Sequence, residues 1–367
     1  MIVDDAVVVR GLFARWIEAE ADLEMVASLR TGREAINQLE RADPDVVILD
    51  VDMPELDGIS ALPELLRKKP GLAVIMASTL TRRNAEISFK ALALGAADYV
   101  AKPETTRAVT TSLSFRQELI DKVRALGLRA RGASGLSRLR LRRTPRFKVE
   151  SPSIVPAQPH PPMPFRLRPF AHLPPRVLMI GCSTGGPQAL STLIPQLGTV
   201  LDRAPILVTQ HMPATFTTIL AEHLQRASGR PVREAIDQEE VQPGTVYIAP
   251  GGKHMRLAGP HGQPVVKLDD GPPVNFCKPS VDPMFASGAA IWGSRLLGVI
   301  LTGMGSDGMR GSEVVAAAGG SVIAQDEKSS VIWGMPGRAV STGACSAVLS
   351  LDEMAPRIVR LFAGDRS

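Results

Sequence analysis

The chain has 367 residues, room for two domains of ordinary size, each with its own core. Its composition, 44% hydrophobic and 22% charged, is that of a folded globular protein, and no run of about 18 apolar residues predicts a membrane span. The net charge of +5 is unevenly spread: residues 1–103 carry 12 Lys/Arg against 17 Asp/Glu, residues 104–175 carry 14 against 4, and residues 176–367 carry 16 of each. The excess therefore lies in the middle of the chain and says little about either folded domain.

Asp4 and Asp5 stand where a secretory signal would be basic, so no signal peptide is expected. Three cysteines, Cys182, Cys277 and Cys345, form an odd, sparse set without metal-ligand spacing, which points to a reducing cytoplasm. Cys182 reads as a small buried apolar residue despite its neighbour Ser183.

Over residues 1–103, short apolar runs alternate with amphipathic stretches. Asp45–Asp50, Leu72–Ala77 and Asp98–Ala101 predict buried strands, while Ala35, Ile36, Leu39 and Ile87, Ala91, Leu94 recur at helical spacing. Strand alternating with helix predicts a doubly wound parallel sheet whose sites lie at the carboxyl ends of its strands. Thr105 to about Leu128 predicts a closing helix, giving a first domain over residues 1–128. From Arg129 to Pro175 the pattern dissolves into a basic run, Arg138 to Lys148, and then a stretch with ten prolines between 145 and 175. That composition predicts an extended linker. Only Phe147 interleaves with its charges, so a nucleic-acid partner is not expected. From Arg176 the alternation resumes to residue 367, with strands predicted at Val177–Gly181, Pro205–Thr209, Val246–Ala249 and Leu296–Leu301. The fold class expected is α/β, two doubly wound parallel-sheet domains.

Asp4-Asp5 follows the first strand, Asp50 ends a central one, Ser78 follows another and Lys102-Pro103 a fourth. Carboxylates gathered at one sheet edge need a cation, and hard oxygen donors suit Mg²⁺. A carboxylate, a divalent metal, a lysine and a hydroxyl are what phosphoryl transfer onto an aspartate requires. With Met53-Pro54, Asp57-Gly58, Gly95-Ala96 and Tyr99 in the same order, residues 1–103 resemble the receiver domain of two-component response regulators. The resemblance implies a flavodoxin-like fold, phosphorylation of Asp50 by a histidine kinase, Mg²⁺ held by Asp4, Asp5 and Asp50, and switch roles for Ser78, Tyr99 and Lys102. Only Met1-Ile2-Val3 precede the acid pair, short for an interior receiver strand, so the numbered start is expected to lie too late.

In the second domain the first strand runs into Gly181-Cys182-Ser183-Thr184-Gly185-Gly186-Pro187. Glycines permit a sharp turn, and Pro187 suits the first helical position. The segment alone fits either an exposed nucleophile with amides near a developing oxyanion or a phosphate-binding loop. His211 after a second strand and Asp307 after a third supply the base and orienting acid of acyl transfer. An α/β-hydrolase order would instead recruit His254 or His261 with Asp237, and neither histidine closes a clear strand.

Residues 176–350 further resemble the catalytic domain of the chemotaxis protein-glutamate methylesterases, the CheB family. The matching segments are Ser183–Pro187, Gln210–Pro213, Ala249–Met255, Pro279–Asp282, Leu301–Gly308 and Gly334–Pro336. That resemblance implies a Rossmann-like methylesterase domain with Ser183 as nucleophile, His211 as base, Asp307 as orienting acid, and Thr184 and the Met304 backbone flanking the reacting carbonyl. It also implies no cofactor in this domain, methyl-accepting chemotaxis receptors as substrates, and glutaminase activity on the corresponding amides. The rival readings are a catalytically silent, phosphorylation-dependent binding module, a regulator of another methylated sensor, and a DNA-binding regulator working through the basic linker.

Overall fold

The computed structural model describes residues 1–102, 112–133, 166–260 and 262–365. Two all-parallel sheets form its two layered domains, and a β-hairpin is added to the second. The first sheet has strands β1 (Ile2–Val3), β2 (Ser28–Leu29), β3 (Val46–Asp50), β4 (Ala73–Thr79) and β5 (Asp98–Lys102) in the order β2-β1-β3-β4-β5. The β3 strand is buried along its whole length, as expected for a parallel strand covered by helices on both faces. Helices Gly32–Ala42, Gly58–Lys68 and Arg82–Ala93 start at side-chain caps from Thr31, Asp57 and Thr81, which satisfy amides otherwise left open at each N-terminus. The strand order reverses between β1 and β3, so loops leaving their carboxyl ends diverge and leave a crevice there.

The first strand is two residues long and interior, pairing with β2 through Ile2↔Ser28 and with β3 through Ile2↔Ile48. The closing helix runs Leu113–Ala133, five residues beyond the predicted end.

The second sheet has the order β14-β13-β12-β6-β7-β9-β8. Its strands are β6 (Val177–Cys182), β7 (Ile206–Gln210), β8 (Val232–Glu234), β9 (Val246–Ile248), β12 (Leu296–Ile300), β13 (Ser321–Gln325) and β14 (Ala347–Leu349). From β6 the chain winds outward one way through β7, then returns to build β12, β13 and β14 on the other side. The reversal falls between β6 and β12, so the loops after these strands are where a site is expected. Strands β10 (His254–Ala258) and β11 (Val265–Asp269) form an antiparallel hairpin beside the helix Val281–Trp292.

Of the stretch predicted as linker, residues 129–133 continue the closing helix. Residues 166–175 lie on the second domain. Arg168 N–H donates to Cys345 O at 2.9 Å, Ala171 N–H to Ser321 Oγ at 2.9 Å, and the Arg357 guanidinium sits 4.7 Å from the Phe170 ring centre. Prolines and arginines mask this attachment in the sequence, because it depends on backbone donors and one aromatic ring. The basic run of residues 138–148 lies outside the described residues.

The two domains meet along the Arg82–Ala93 helix and β5 of the first and the helices Gly186–Leu193 and Ala214–Ser228 of the second. Tyr99 stacks on Phe216 with ring centres 4.5 Å apart and planes 3° from parallel. Phe89 stacks on His223 at 5.8 Å. Gln188 Nε2 donates to Ala96 O at 2.9 Å, and the Arg82 guanidinium meets both Glu222 carboxylate oxygens at 2.8 Å. The exposed ion pair is screened by salt and contributes little; the ring stacks and the buried apolar surface carry the contact.

Candidate active site and phosphoacceptor site

The turn after β6 is shaped by backbone constraints that only glycine meets. A Cβ on Gly185, where φ is +76°, would come within 2.4 Å of Val331, and one on Gly186 would come within 2.0 Å of Gln210 Oε1. Ser183 stands at the head of this turn, half-buried. Its amide donates to Thr302 O at 3.1 Å, and its carbonyl accepts from Gly186 N–H at 2.7 Å and Gln210 Nε2 at 3.0 Å. The helix Gly186–Leu193 begins there with Gly185 as its N-cap, which puts Pro187 at the second helical position.

His211 follows β7, and its amide donates to Cys182 O at 3.1 Å, which ties the loops of His211 and Ser183 together. Its Nε2 lies 2.7 Å from Asp307 Oδ2, and its Nδ1 lies 3.4 Å from Cys277 Sγ. No hydrogen bond joins Ser183 Oγ to His211 in this arrangement: the ring nitrogen available to the serine is Nδ1, and Cys277 stands against it. Burial opposes the imidazolium charge, but Cys277 and Asp307 outweigh it and raise His211 to about 10.

Asp307 is buried, on the loop seven residues beyond β12. Its oxygens accept from His211, from Ser280 Oγ at 2.7 Å, from Asn275 Nδ2 at 3.0 Å, and from the amides of Val281 at 2.6 Å, Asp282 at 3.2 Å and Gly308 at 3.0 Å. Burial alone would raise this carboxyl. The hydrogen bond and charge of His211, with the Val281 amide and the Ser280 hydroxyl, lower it to about 2. Val281 and Asp282 open the Val281–Trp292 helix, so the carboxylate also sits at a helix N-terminus, which favours its charge. Asp282 backs this arrangement by accepting from Gly308 N–H and Gly311 N–H.

Thr184 is buried, and its Oγ1 has no hydrogen-bond partner, an arrangement that is unfavourable unless something else uses the hydroxyl. Among the described residues, the Met304 amide also donates to no protein acceptor. The loop holding Met304 is pressed against Gly334, where a Cβ would meet Gly303 O at 2.8 Å. Two free donors on the turns around the half-buried Ser183 can stabilise an oxyanion.

The alternative histidines are not part of this group. His254 is buried, accepts from Ser280 N–H at 3.2 Å and lies 3.0 Å from Pro272 O, while Asp237 accepts from Leu268 N–H. His261 lies outside the described residues. Cys182 is fully buried, and burial pushes its thiol well up.

Sequence reasoning missed Gln210, Asn275, Cys277 and Ser280 as contributors. Ser280-Val281-Asp282 carried a usable signal, a serine opening a helix, although its hydroxyl serves Asp307. Cys277 carried none, because its role comes from a tight turn that folds it onto His211.

In the first domain, Asp4, Asp5 and Asp50 offer oxygens all within 4.8 Å of one another, with Asp4 and Asp50 buried and Asp5 exposed. Lys102 Nζ bridges Asp4 Oδ2 at 3.1 Å and Asp50 Oδ1 at 2.5 Å. Burial raises Asp50 to about 6, with Lys102 opposing and Asp4 adding to the rise. A second cation would relieve that crowding, and the all-oxygen donor set fits Mg²⁺. Ser78 lies within β4, its Oγ 3.0 Å from Ser88 Oγ. Tyr99 is buried between the Lys122 ammonium, 5.2 Å from its ring centre, and Phe216.

Comparison with known proteins matches residues 1–114 to the response regulator receiver domain and residues 178–358 to the CheB methylesterase domain. A protein-glutamate methylesterase/protein-glutamine glutaminase of Nitrobacter hamburgensis is 61% identical over 100% of this chain and 94% of its own length. One from a group 2 operon of Rhodopseudomonas palustris is 59% identical over 100% of this chain and 95% of its own. The crystal structure of the Thermotoga maritima CheB methylesterase catalytic domain is 41% identical, with a TM-score of 0.50, and covers 52% of this chain and 100% of that one.

Proposed function

The chain belongs to the CheB methylesterase family, and from that premise we propose that it hydrolyses glutamate methyl esters on chemotaxis receptors through a Ser183-His211-Asp307 relay controlled by Asp50 phosphorylation. The observation that supports this most directly is the hydrogen bond of His211 to the buried Asp307, with the His211 amide bonded to Cys182 O beside Ser183 at the carboxyl edge of the sheet.

Ser183 Oγ attacks the ester carbonyl and passes its proton to His211 Nδ1, while Nε2 stays on Asp307. The Cys277 thiol gives way at Nδ1 as the serine engages. Thr184 Oγ1 and the Met304 amide donate to the oxyanion. His211 returns the proton to the departing methanol, and water then resolves the acyl-enzyme by the same relay run backwards. A side-chain amide follows the same path with ammonia leaving, which accounts for glutaminase activity. Nothing in this sequence of steps calls for a metal in the second domain.

In the receiver, Asp4, Asp5 and Asp50 would hold Mg²⁺, which supplies charge neutralisation for phosphoryl transfer. Asp50 is the acceptor carboxylate, a histidine kinase is the donor, and Lys102 pairs with the charge that arrives. Ser78 and Tyr99 respond to it. No helix among the described residues is long and apolar enough to cross a membrane, in keeping with an enzyme that meets its receptors from the cytoplasm.

The test is methanol release from methylated receptor, with and without a small-molecule phosphodonor. Release that rises with the donor is expected; no release under either condition would overturn the assignment. The base also predicts a pH dependence. His211 acts only when neutral, and its proton is held to about 10, so hydrolysis should climb on an alkaline limb. Replacing Cys277 by Ala removes a group that holds that proton and also frees Nδ1. The limb should therefore move to lower pH, as read from kcat/KM against pH. A limb that stays in place would mean that Cys277 does not govern the base.

A further inference from the structure

Val274 to Cys277 form a tight reversal closed by two backbone hydrogen bonds, Val274 N–H to Cys277 O at 3.1 Å and Cys277 N–H to Val274 O at 2.9 Å. Both central residues are left-handed, Asn275 at φ 52° and Phe276 at φ 62°. This geometry favours Asn followed by Gly. Asn is at home in it, but a bulky aromatic residue there is a strained outlier. The side chain of Phe276 gains nothing in return from folding: its relative exposure is 103%, the highest among the exposed large apolar side chains of the described residues.

A single exposed apolar side chain is ordinary on a protein surface, and exposure alone would carry no argument. What sets Phe276 apart is its mounting. Asn275 Nδ2 donates to Asp307 Oδ1 at 3.0 Å and to Asp282 Oδ2 at 2.8 Å. On the other side, Cys277 Sγ lies 3.4 Å from His211 Nδ1. The ring is therefore held between a residue that touches the acid and one that touches the base. Strain kept at such a place points to function.

We propose that Phe276 is a specificity-determining contact for the protein substrate, seating against an aliphatic side chain one helical turn from the esterified glutamate. This rests on the reading that the substrate is a methyl ester on a helical receptor. When such an ester enters toward Ser183, the helix bearing it stays at the rim of the site. Residues three and four positions away lie on the same helix face as the glutamate, within reach of a rim aromatic. An apolar contact there adds binding for the protein substrate and leaves the bond-breaking groups untouched. Its loss is expected to act on KM for receptor and not on the chemistry.

The experiment compares the full chain, activated by phosphodonor, with Phe276→Gly, Phe276→Ala and Phe276→Leu variants on two substrates. One is the methylated cytoplasmic fragment of a receptor; the other is the γ-methyl ester of N-acetylglutamate, too small to reach the ring. Gly and Ala should raise KM for the receptor fragment about tenfold, and kcat/KM for the small ester should stay within about twofold, as expected for an interaction remote from the reacting bond. Leu should retain most of the receptor affinity. The Gly variant relieves the left-handed strain, so its thermal midpoint should be no lower than that of the parent. A high receptor KM in that variant cannot then be assigned to unfolding. Unchanged receptor KM in Gly and Ala overturns the inference and leaves the methylesterase reading intact. Equal losses on both substrates overturn it too, by making the turn a support for His211. If the parent cleaves the small ester and never the receptor fragment, the functional reading fails and takes this inference with it.

Discussion

Replacing Ser183 by Ala is expected to lower methanol release by about a thousandfold or more, the loss usual for a triad nucleophile, while Asp50 still accepts phosphate. The two outcomes separate because the groups sit at the edges of different sheets. Ser183 follows β6 of the second sheet, and Asp50 ends β3 of the first. The turn should survive the change, because its hydrogen bonds run through the Ser183 backbone to Thr302, Gly186 and Gln210. Circular dichroism and thermal midpoint are therefore expected to stay close to those of the parent. Near-normal methanol release from a folded variant would remove Ser183 from the mechanism.

Replacing Asp50 by Asn should keep the unphosphorylated rate and abolish stimulation by a phosphodonor. The receiver lies against the side of the enzyme where the nucleophile turn begins. Gln188, in the helix that follows Ser183, donates to Ala96 O, and Val331, which abuts Gly185, packs with Ile332 against the receiver core. A covered active-site edge is slowed until the cover loosens, and phosphate on Asp50 supplies new charge beside Lys102, with Ser78 and Tyr99 placed to respond. Removal of the receiver should accordingly give an enzyme faster than the unphosphorylated full chain. The cut belongs before residue 166, because Arg168, Phe170 and Ala171 are bound to the second domain. A truncated enzyme slower than that basal state would replace inhibition by a receiver that assists catalysis.

Much of this was legible in the sequence because it depends on short-range pattern. Buried parallel strands read as continuous apolar runs, and Asp50, Ser183 and His211 close or directly follow such runs, so topology carries them to an edge. Asp307 was read as following a third strand, and it stands seven residues past β12, at the end of the glycine-rich segment that leaves it. What escaped was the company these residues keep. Cys277 reaches His211, and Asn275 reaches Asp307, only because the chain reverses at 275–276, and an Asn-Phe pair is a weak turn signal. The attachment of residues 166–175 was hidden for a related reason: backbone donors carry it, and they leave no trace in composition.

Tyr99 limits how strongly this protein can be regulated. Its ring lies between Lys122 of its own domain and Phe216 of the enzyme, so the residue proposed to respond to phosphate is itself part of the seam, and a response there needs no relay of intermediate side chains. An aromatic pair contributes about 0.5–1.5 kcal/mol beyond the area it buries. Turning the rings out of their stack while the seam stays closed would shift the balance between covered and open enzyme by only roughly two- to tenfold. Any larger stimulation has to come from parting the rest of the seam as well, with the Phe89–His223 stack and the Gln188–Ala96 hydrogen bond released in the same event. The size of the response to phosphate therefore reports how much of the contact separates.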